Sequence, residues 1–389
     1  MSTSTYYLYG IPASLYTAKA RSYLRTHRID HVERAVGHPH YQQDIMPTIG
    51  RLIMPVLETP SGQLVQDTVD IIDFLEQAEG LQSVVPDTPV QRCVAHVLEI
   101  FGGEGLLRPA MHYRWNFDEE NLDFLAQDFA GAMILGGDAA QRAAVFALAS
   151  DRMRSAAAIF GVTPDTEALI ESSYAEFLSL LSSHLEHSPF LLGGRPTIGD
   201  YGFMGPLYPH LARDPAPSRL MKQTAWRVWR WTERMNSPLL DAPEYGEVDP
   251  ELFAEDEIPE TLTALLRYIA VEWVDEICAQ VAWLDEWLGH ADDVETGGVV
   301  GGKPARRTPG SVTFAWRGTE LTTGVFPYRL YVLQRLQAAY GDLDDEGRRS
   351  VDVLFAEVGL TPLLTLRARR RVDRVDNREV WGHEQDPSL

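Results

Sequence analysis

Cysteine is scarce: Cys93 and Cys278 are the only two in 389 residues. Two cysteines cannot build a disulfide framework or a cysteine-rich metal site, and sparse cysteine suits a reducing cytosol, where the protein is expected. Long apolar runs are also missing, since no stretch reaches the ~20 residues a membrane span needs. The opening MSTSTYYLYG has no basic segment ahead of an apolar core, so no signal peptide is expected. Positive charge is in deficit. Lys plus Arg number 34 against 56 Asp plus Glu, a net charge of −22. Phosphate backbones and anionic headgroups repel such a chain, which argues against nucleic-acid and membrane-surface partners. No repeat or low-complexity tract occurs. The loop Gly301-Gly302-Lys303 follows a helical pattern and lacks the spacing of a phosphate loop. His112 has no partner at metal-ligand spacing, so no metal is expected.

What remains is ordinary globular composition, 45% apolar and 23% charged, in a chain long enough for two or three domains. Residues 1–85 read as mixed α/β. Tyr6 to Tyr9 form a strand closed by Gly10-Ile11-Pro12, and a helix runs from Leu15 to His27. A second strand spans 30–35. An apolar strand over 51–58 carries Pro55, which marks a strand start or a special turn. Ser61-Gly62 turns the chain into Gln63-Leu64-Val65, and Asp67-Thr68 precedes a helix. Prolines at 86 and 89 mark a linker. Beyond it the chain is mostly helical, with Thr197 and Asp200 spaced as a capping box. Pro259 opens a long amphipathic helix with apolar residues from Leu262 to Leu288. Ser311 to Leu321 alternates as a hairpin turning at Arg317-Gly318, and the tail after Pro362 is rich in arginine.

Three segments together resemble the glutathione S-transferase superfamily: LYGIPASLYTAKAR at 8–21, IMPVLETPSGQLVQDTVDIIDFLE at 53–76, and FLLGGRPTIGDYGFMGPLY at 190–208. The resemblance implies a thioredoxin-like domain over 1–85 and an all-α second-substrate domain over 86–245; residues 246–389 exceed an ordinary family member, and the wide apolar stripe after Pro259 predicts a helical extension with a small hairpin, packed on the α domain. The resemblance also implies glutathione as co-substrate, a small electrophile as second substrate, a homodimer and a detoxifying transferase. A non-catalytic binding protein of the same fold, or a glutathione-dependent lyase, dehalogenase or isomerase, are the alternatives, since fold does not choose activity.

Catalysis of this kind must hold an anionic peptide and favour its thiolate. Ser14, seven residues before Arg21, matches the serine or cysteine position of that family; its other role is a plain N-cap. Tyr16 ranks second as thiol-contacting hydroxyl and Tyr9 third. Pro55 matches the family's cis-proline, and Val56 would then offer its backbone to the peptide's cysteine. Asp67 and Thr68 match the acidic–hydroxyl pair that holds the γ-glutamyl group, with Gln66 assisting; Asp and Thr depart from the commoner Glu and Ser. Met111, Tyr113, Arg114 and Trp115 line an apolar second-substrate pocket or, alternatively, form an interdomain aromatic core with a salt bridge. Lys19 is a first-turn polar residue or meets an anionic substrate. The tail arginines are expected to pair with the chain's own acidic surface.

Overall fold

A computed structural model describes residues 5–291, 294–302 and 308–386; Lys303 of the glycine-rich loop lies outside them. The chain opens with β1 (Tyr6–Gly10), α1 (Leu15–Thr26), β2 (His31–Ala35) and the short α2 (Met46–Ile49). Then come β3 (Val56–Glu58), β4 (Leu64–Gln66) and α3 (Thr68–Glu79). The four strands form one sheet in the order β2-β1-β3-β4. β1 runs parallel to β2 and antiparallel to β3, and β3 is antiparallel to β4. This is a thioredoxin-like α/β domain. The strand expected over 51–58 shrinks to three residues. The Met54–Pro55 peptide is cis and turns the chain just ahead of Val56, and proline has no N–H to give a ladder. Gly62 takes φ +85° in the β3–β4 turn, a conformation that favours glycine.

From Pro89 onward the chain is mostly helical: α4 (Pro89–Ile100), α5 (Leu107–Trp115), α6 (Asp118–Met133), α7 (Ala139–Ala157), α8 (Glu167–His184), α9 (Ile198–Pro206), α10 (Pro215–Thr224) and α11 (Trp226–Arg234). α9 has the expected capping box, in which Asp200 Oδ2 accepts the Thr197 N–H at 2.9 Å. α9 lies directly on α4, and a Cβ at Gly202 would stand 2.6 Å from Glu99 Cα, so only glycine permits the approach.

The long helix after Pro259 is α12 (Glu260–Ile269) and α13 (Asp275–Gly289), continuous through a π-bulge at Ala270–Val274. The β5 (Ser311–Trp316) and β6 (Thr319–Gly324) hairpin turns at Arg317-Gly318, as the alternation suggests. α14 (Pro327–Gly341), α15 (Asp345–Val358) and the short α16 (Pro362–Thr365) follow. The arginine-rich tail has regular structure. It is a second hairpin, β7 (Arg370–Val375) and β8 (Arg378–Glu384), anchored by buried Val372, Val380 and Trp381. Its arginines meet carboxylates of the same chain, Arg369 with Asp285, Arg370 with Glu384 and Arg374 with Asp70.

One apolar core runs from Tyr6, Leu8 and Leu24 through α4 and α9 to Leu333, Val372 and Trp381. A second cluster holds Tyr9, Ile11 and Val56 against Met111 and Trp115. Among the described residues no helix is long and apolar enough to cross a membrane.

Candidate active site

Two helices of the first domain start beside the cis-proline turn, and their N-termini frame the site. At α1, Ser14 is the N-cap. Its N–H donates to the Ile11 carbonyl at 3.1 Å and its Oγ accepts the Thr17 N–H at 3.2 Å. That bond leaves the hydroxyl hydrogen for another partner, at the positive end of a helix dipole. Ser14 is half-buried. Tyr16, in the first turn, donates to Glu104 Oε1 at 2.9 Å.

Tyr9 is placed differently. It is buried in the sheet, donates to Glu58 Oε2 at 2.9 Å and accepts from Arg34 Nη1 at 2.9 Å. Burial pushes its phenol up to about 12, with Arg34 opposing and Glu58 adding to the rise. Such a group is held protonated and already has a carboxylate to donate to. Lys19 is also committed, to Glu99 at 2.7 Å in the buried space between α1 and α4. Burial would raise the Glu99 carboxyl, but Lys19 and His96 hold it well below the usual range.

The cis-proline turn is pinned from below. The Tyr41 hydroxyl accepts the Ile53 N–H at 3.1 Å and donates to the Ile53 carbonyl at 2.5 Å. Val56 does not offer its backbone as expected. It pairs opposite Tyr9 on one side and Gln66 on the other, so its N–H and C=O lie within the sheet. Half-buried Met54, ahead of the cis bond, lies outside the ladder.

At α3, Asp67 is the N-cap, with φ 88° and ψ 142°. A non-glycine residue there carries strain of about 1–3 kcal/mol, kept only where surroundings over-determine it. Asp67 Oδ1 accepts the Val69 N–H at 3.0 Å and the Tyr328 hydroxyl at 2.8 Å. Gln66 is enclosed as well. Its carbonyl and Oε1 accept from Arg374 Nη2 at 2.8 and 2.7 Å, and its N–H donates to Asn377 Oδ1 at 2.8 Å. Arg374 continues to Asp70 at 2.7 Å and Glu379 at 2.9 Å. Burial pushes the Asp70 carboxyl up, against the pull of Arg374. Gln66, Asp67 and Thr68 are all buried. The sequence therefore brings the expected trio together, but under a cover of Tyr328, Arg374 and Asn377 that no motif announces.

Met111, Tyr113, Arg114 and Trp115 are likewise buried. Arg114 forms two bonds to Asp214, at 2.7 and 2.9 Å, and donates to the Ala13 carbonyl at 2.9 Å. Tyr113 stacks on Phe117 at 5.1 Å, and Trp115 packs on Phe129 at 5.9 Å. This is the interdomain aromatic core with a salt bridge. It steadies the turn that presents Ser14 and commits Arg114 to Asp214 and to the carbonyls of Ala13 and Pro209.

Sequence reasoning also missed a buried ionic chain. Glu104 accepts from Tyr16 and pairs with Arg329 at 3.3 Å. Arg329 reaches Glu276 at 2.5 Å, and Glu276 pairs with Arg108. Arg108 pairs with Glu272 at 3.4 Å, which takes Arg317 at 2.8 Å. Burial raises the Glu276 carboxyl, but its two arginines hold it below the usual range. The sole signal in sequence is charge on otherwise apolar helix faces. Among the described residues no cluster of His, Cys, Asp and Glu is placed to hold a metal ion.

Residues 8–83 match the family model described as glutathione S-transferase, N-terminal domain. No curated protein matches the chain. Solved structures resemble it at low identity. A beta-etherase from a Sphingobium strain is 15% identical with a TM-score of 0.41, over 59% of this chain and 94% of that one. A glutathione transferase from Phanerochaete chrysosporium is 15% identical with a TM-score of 0.41, over 63% and 98%. A glutathione S-transferase from Methylobacterium radiotolerans, in complex with glutathione sulfonate, is 18% identical with a TM-score of 0.36, over 64% and 100%.

Proposed function

We propose, from the match of residues 8–83 to the family model described as glutathione S-transferase, N-terminal domain, that the protein is a glutathione transferase-like enzyme. Its reaction joins the glutathione sulfur to an electrophilic carbon of a small molecule. A leaving group departs with its electron pair, or an added carbon takes a proton. The observation that carries this reading is Ser14 at the α1 N-terminus, its hydroxyl hydrogen directed to no carboxylate among the described residues, unlike those of Tyr9 and Tyr16. A hydroxyl donor and a helix N-terminus both lower the cost of a thiolate. Met54 would pair with the peptide backbone, and Asp67 and Thr68 would hold the γ-glutamyl group.

Calorimetry with glutathione and a panel of electrophiles tests the reading. Ser14→Ala should keep glutathione affinity, raise the bound thiol pKa and lower turnover. Full turnover in Ser14→Ala with loss in Tyr16→Phe would move the role to Tyr16. One observation favours a non-catalytic binding protein instead: Asp67 and Gln66 already hold side chains of the same chain. Absence of turnover across the panel, with an unshifted thiol pKa, would establish that second reading.

A further inference from the structure

Resting on the assignment of Gln66, Asp67 and Thr68 to the γ-glutamyl group, we propose that Tyr328, Arg374 and Asn377 are internal occupants of that subsite, and that glutathione binds only in competition with them.

The argument is one of matched chemistry. A γ-glutamyl group brings an ammonium to carboxylates and a carboxylate to hydrogen-bond donors. The C-terminal region supplies the same kinds of group. The Tyr328 hydroxyl donates to Asp67 Oδ1 at 2.8 Å, on the oxygen that also caps α3. The Arg374 guanidinium supplies the cation, shared among Asp70, Glu379 and the two oxygens of Gln66. Asn377 imitates a peptide unit. Its Oδ1 accepts the Gln66 N–H at 2.8 Å and its Nδ2 donates to the Leu64 carbonyl at 3.3 Å. β4 is an edge strand of the sheet, so the Asn377 amide sits where an added strand would place its backbone. Asp376 and Asn377 both take positive φ, 48° and 63°, as a tight hairpin turn requires, which aims the Asn377 side chain at β4.

The body of the hairpin stays in place during such a competition. Val372 and Trp381 are core residues, and Gln334 bonds both backbone groups of Val372, at 2.7 and 3.1 Å. Only side chains reach the subsite. Competition therefore means side chains yielding to a ligand, with no detachment of the hairpin.

The test is calorimetric titration of the full chain with glutathione. Tyr328→Phe keeps the ring and its packing but removes the donor to Asp67. It should bind glutathione at least fivefold more tightly than the unchanged protein. Adding Asp67→Asn to Tyr328→Phe should remove the gain, because the ammonium loses its carboxylate. Affinity that is equal or lower in Tyr328→Phe overturns the competition and leaves glutathione binding intact. Should Tyr328→Phe not fold, Asn377→Gly asks the same question at the hairpin tip, where glycine tolerates the positive φ. A gain in affinity supports the proposal and no gain overturns it. Failure of the unchanged protein and every variant to bind glutathione overturns the glutathione assignment and, with it, the proposal.

Discussion

The N-termini of α1 and α3 are built alike and end up in opposite situations. Each is capped by a short polar side chain, Ser14 or Asp67, and each borders the cis-proline turn. Ser14 remains half-exposed, with one bond to its own helix. Asp67 is buried, with a bond to its own helix and another to a tyrosine 261 residues away. A helix N-terminus is a ready place for an anion, but what it meets is decided by whichever distant segment packs on it. Here residues beyond 326 pack on one end and leave the other half-open.

The largest expected effect comes from breaking the closed end. Arg374→Ala takes one cation from half-buried Asp70, which keeps the Tyr331 hydroxyl, and from Glu379, which keeps Arg51, and should cost about 3 kcal/mol, the low end for a broken buried pair. Urea unfolding measures it; a loss under 1 kcal/mol would mean the α3 end is not held shut by charge.

An acid titration separates global stability from either helix end. His184 is buried between Thr261 Oγ1 and the Leu191 carbonyl, each at 2.9 Å, and burial brings it down to about 4 from an ordinary 6.5. The folded form then binds fewer protons than the unfolded one. Its contribution is present above pH 6.5 and is lost as pH falls toward 4, by roughly 3 kcal/mol. Urea midpoints between pH 7.5 and 4 should show the fall, and His184→Gln should flatten it.

Ser14→Ala should cost ~1 kcal/mol through loss of a cap. A cost above 2 kcal/mol would show that Ser14 does more than cap and that the α1 end is as closed as its counterpart. The smallest effect is expected at Tyr16→Phe, about 0.5 kcal/mol, the low end for one hydrogen bond, because Arg329 remains on Glu104.

Much of the first domain is legible because its signals are local. Pro55, Ser61-Gly62 and Asp67-Thr68 each act within a few residues, and the corresponding turn, hairpin and helix start stand where those residues predict. The setting of Val56 is less legible, because a short run of apolar residues does not reveal that its strand is paired on both sides. The closure of α3 was illegible for another reason. Tyr328 sits at helical spacing with Tyr331, Leu333 and Leu336, which reads as an apolar stripe, while its function as a donor rests on the hydroxyl at the end of the ring. Arg374 lies in the run expected to pair with the chain's own acidic surface, and it does so with Asp70 and Glu379, but nothing in the run tells that the same guanidinium also reaches Gln66.

The bond between Gln66 and Asn377 spans 311 residues of chain. Protein synthesis proceeds at about 5–20 residues per second, so roughly 15–60 seconds pass between the making of the two partners. For that interval β4 is a bare edge with its N–H and C=O groups unpaired, the kind of strand that invites another chain. The Asp67 carboxylate beside that edge meanwhile lacks the Tyr328 hydroxyl that it later accepts. The order in which the chain is made thus leaves the β4 edge to be covered late, by Arg374 and Asn377, from far along the chain.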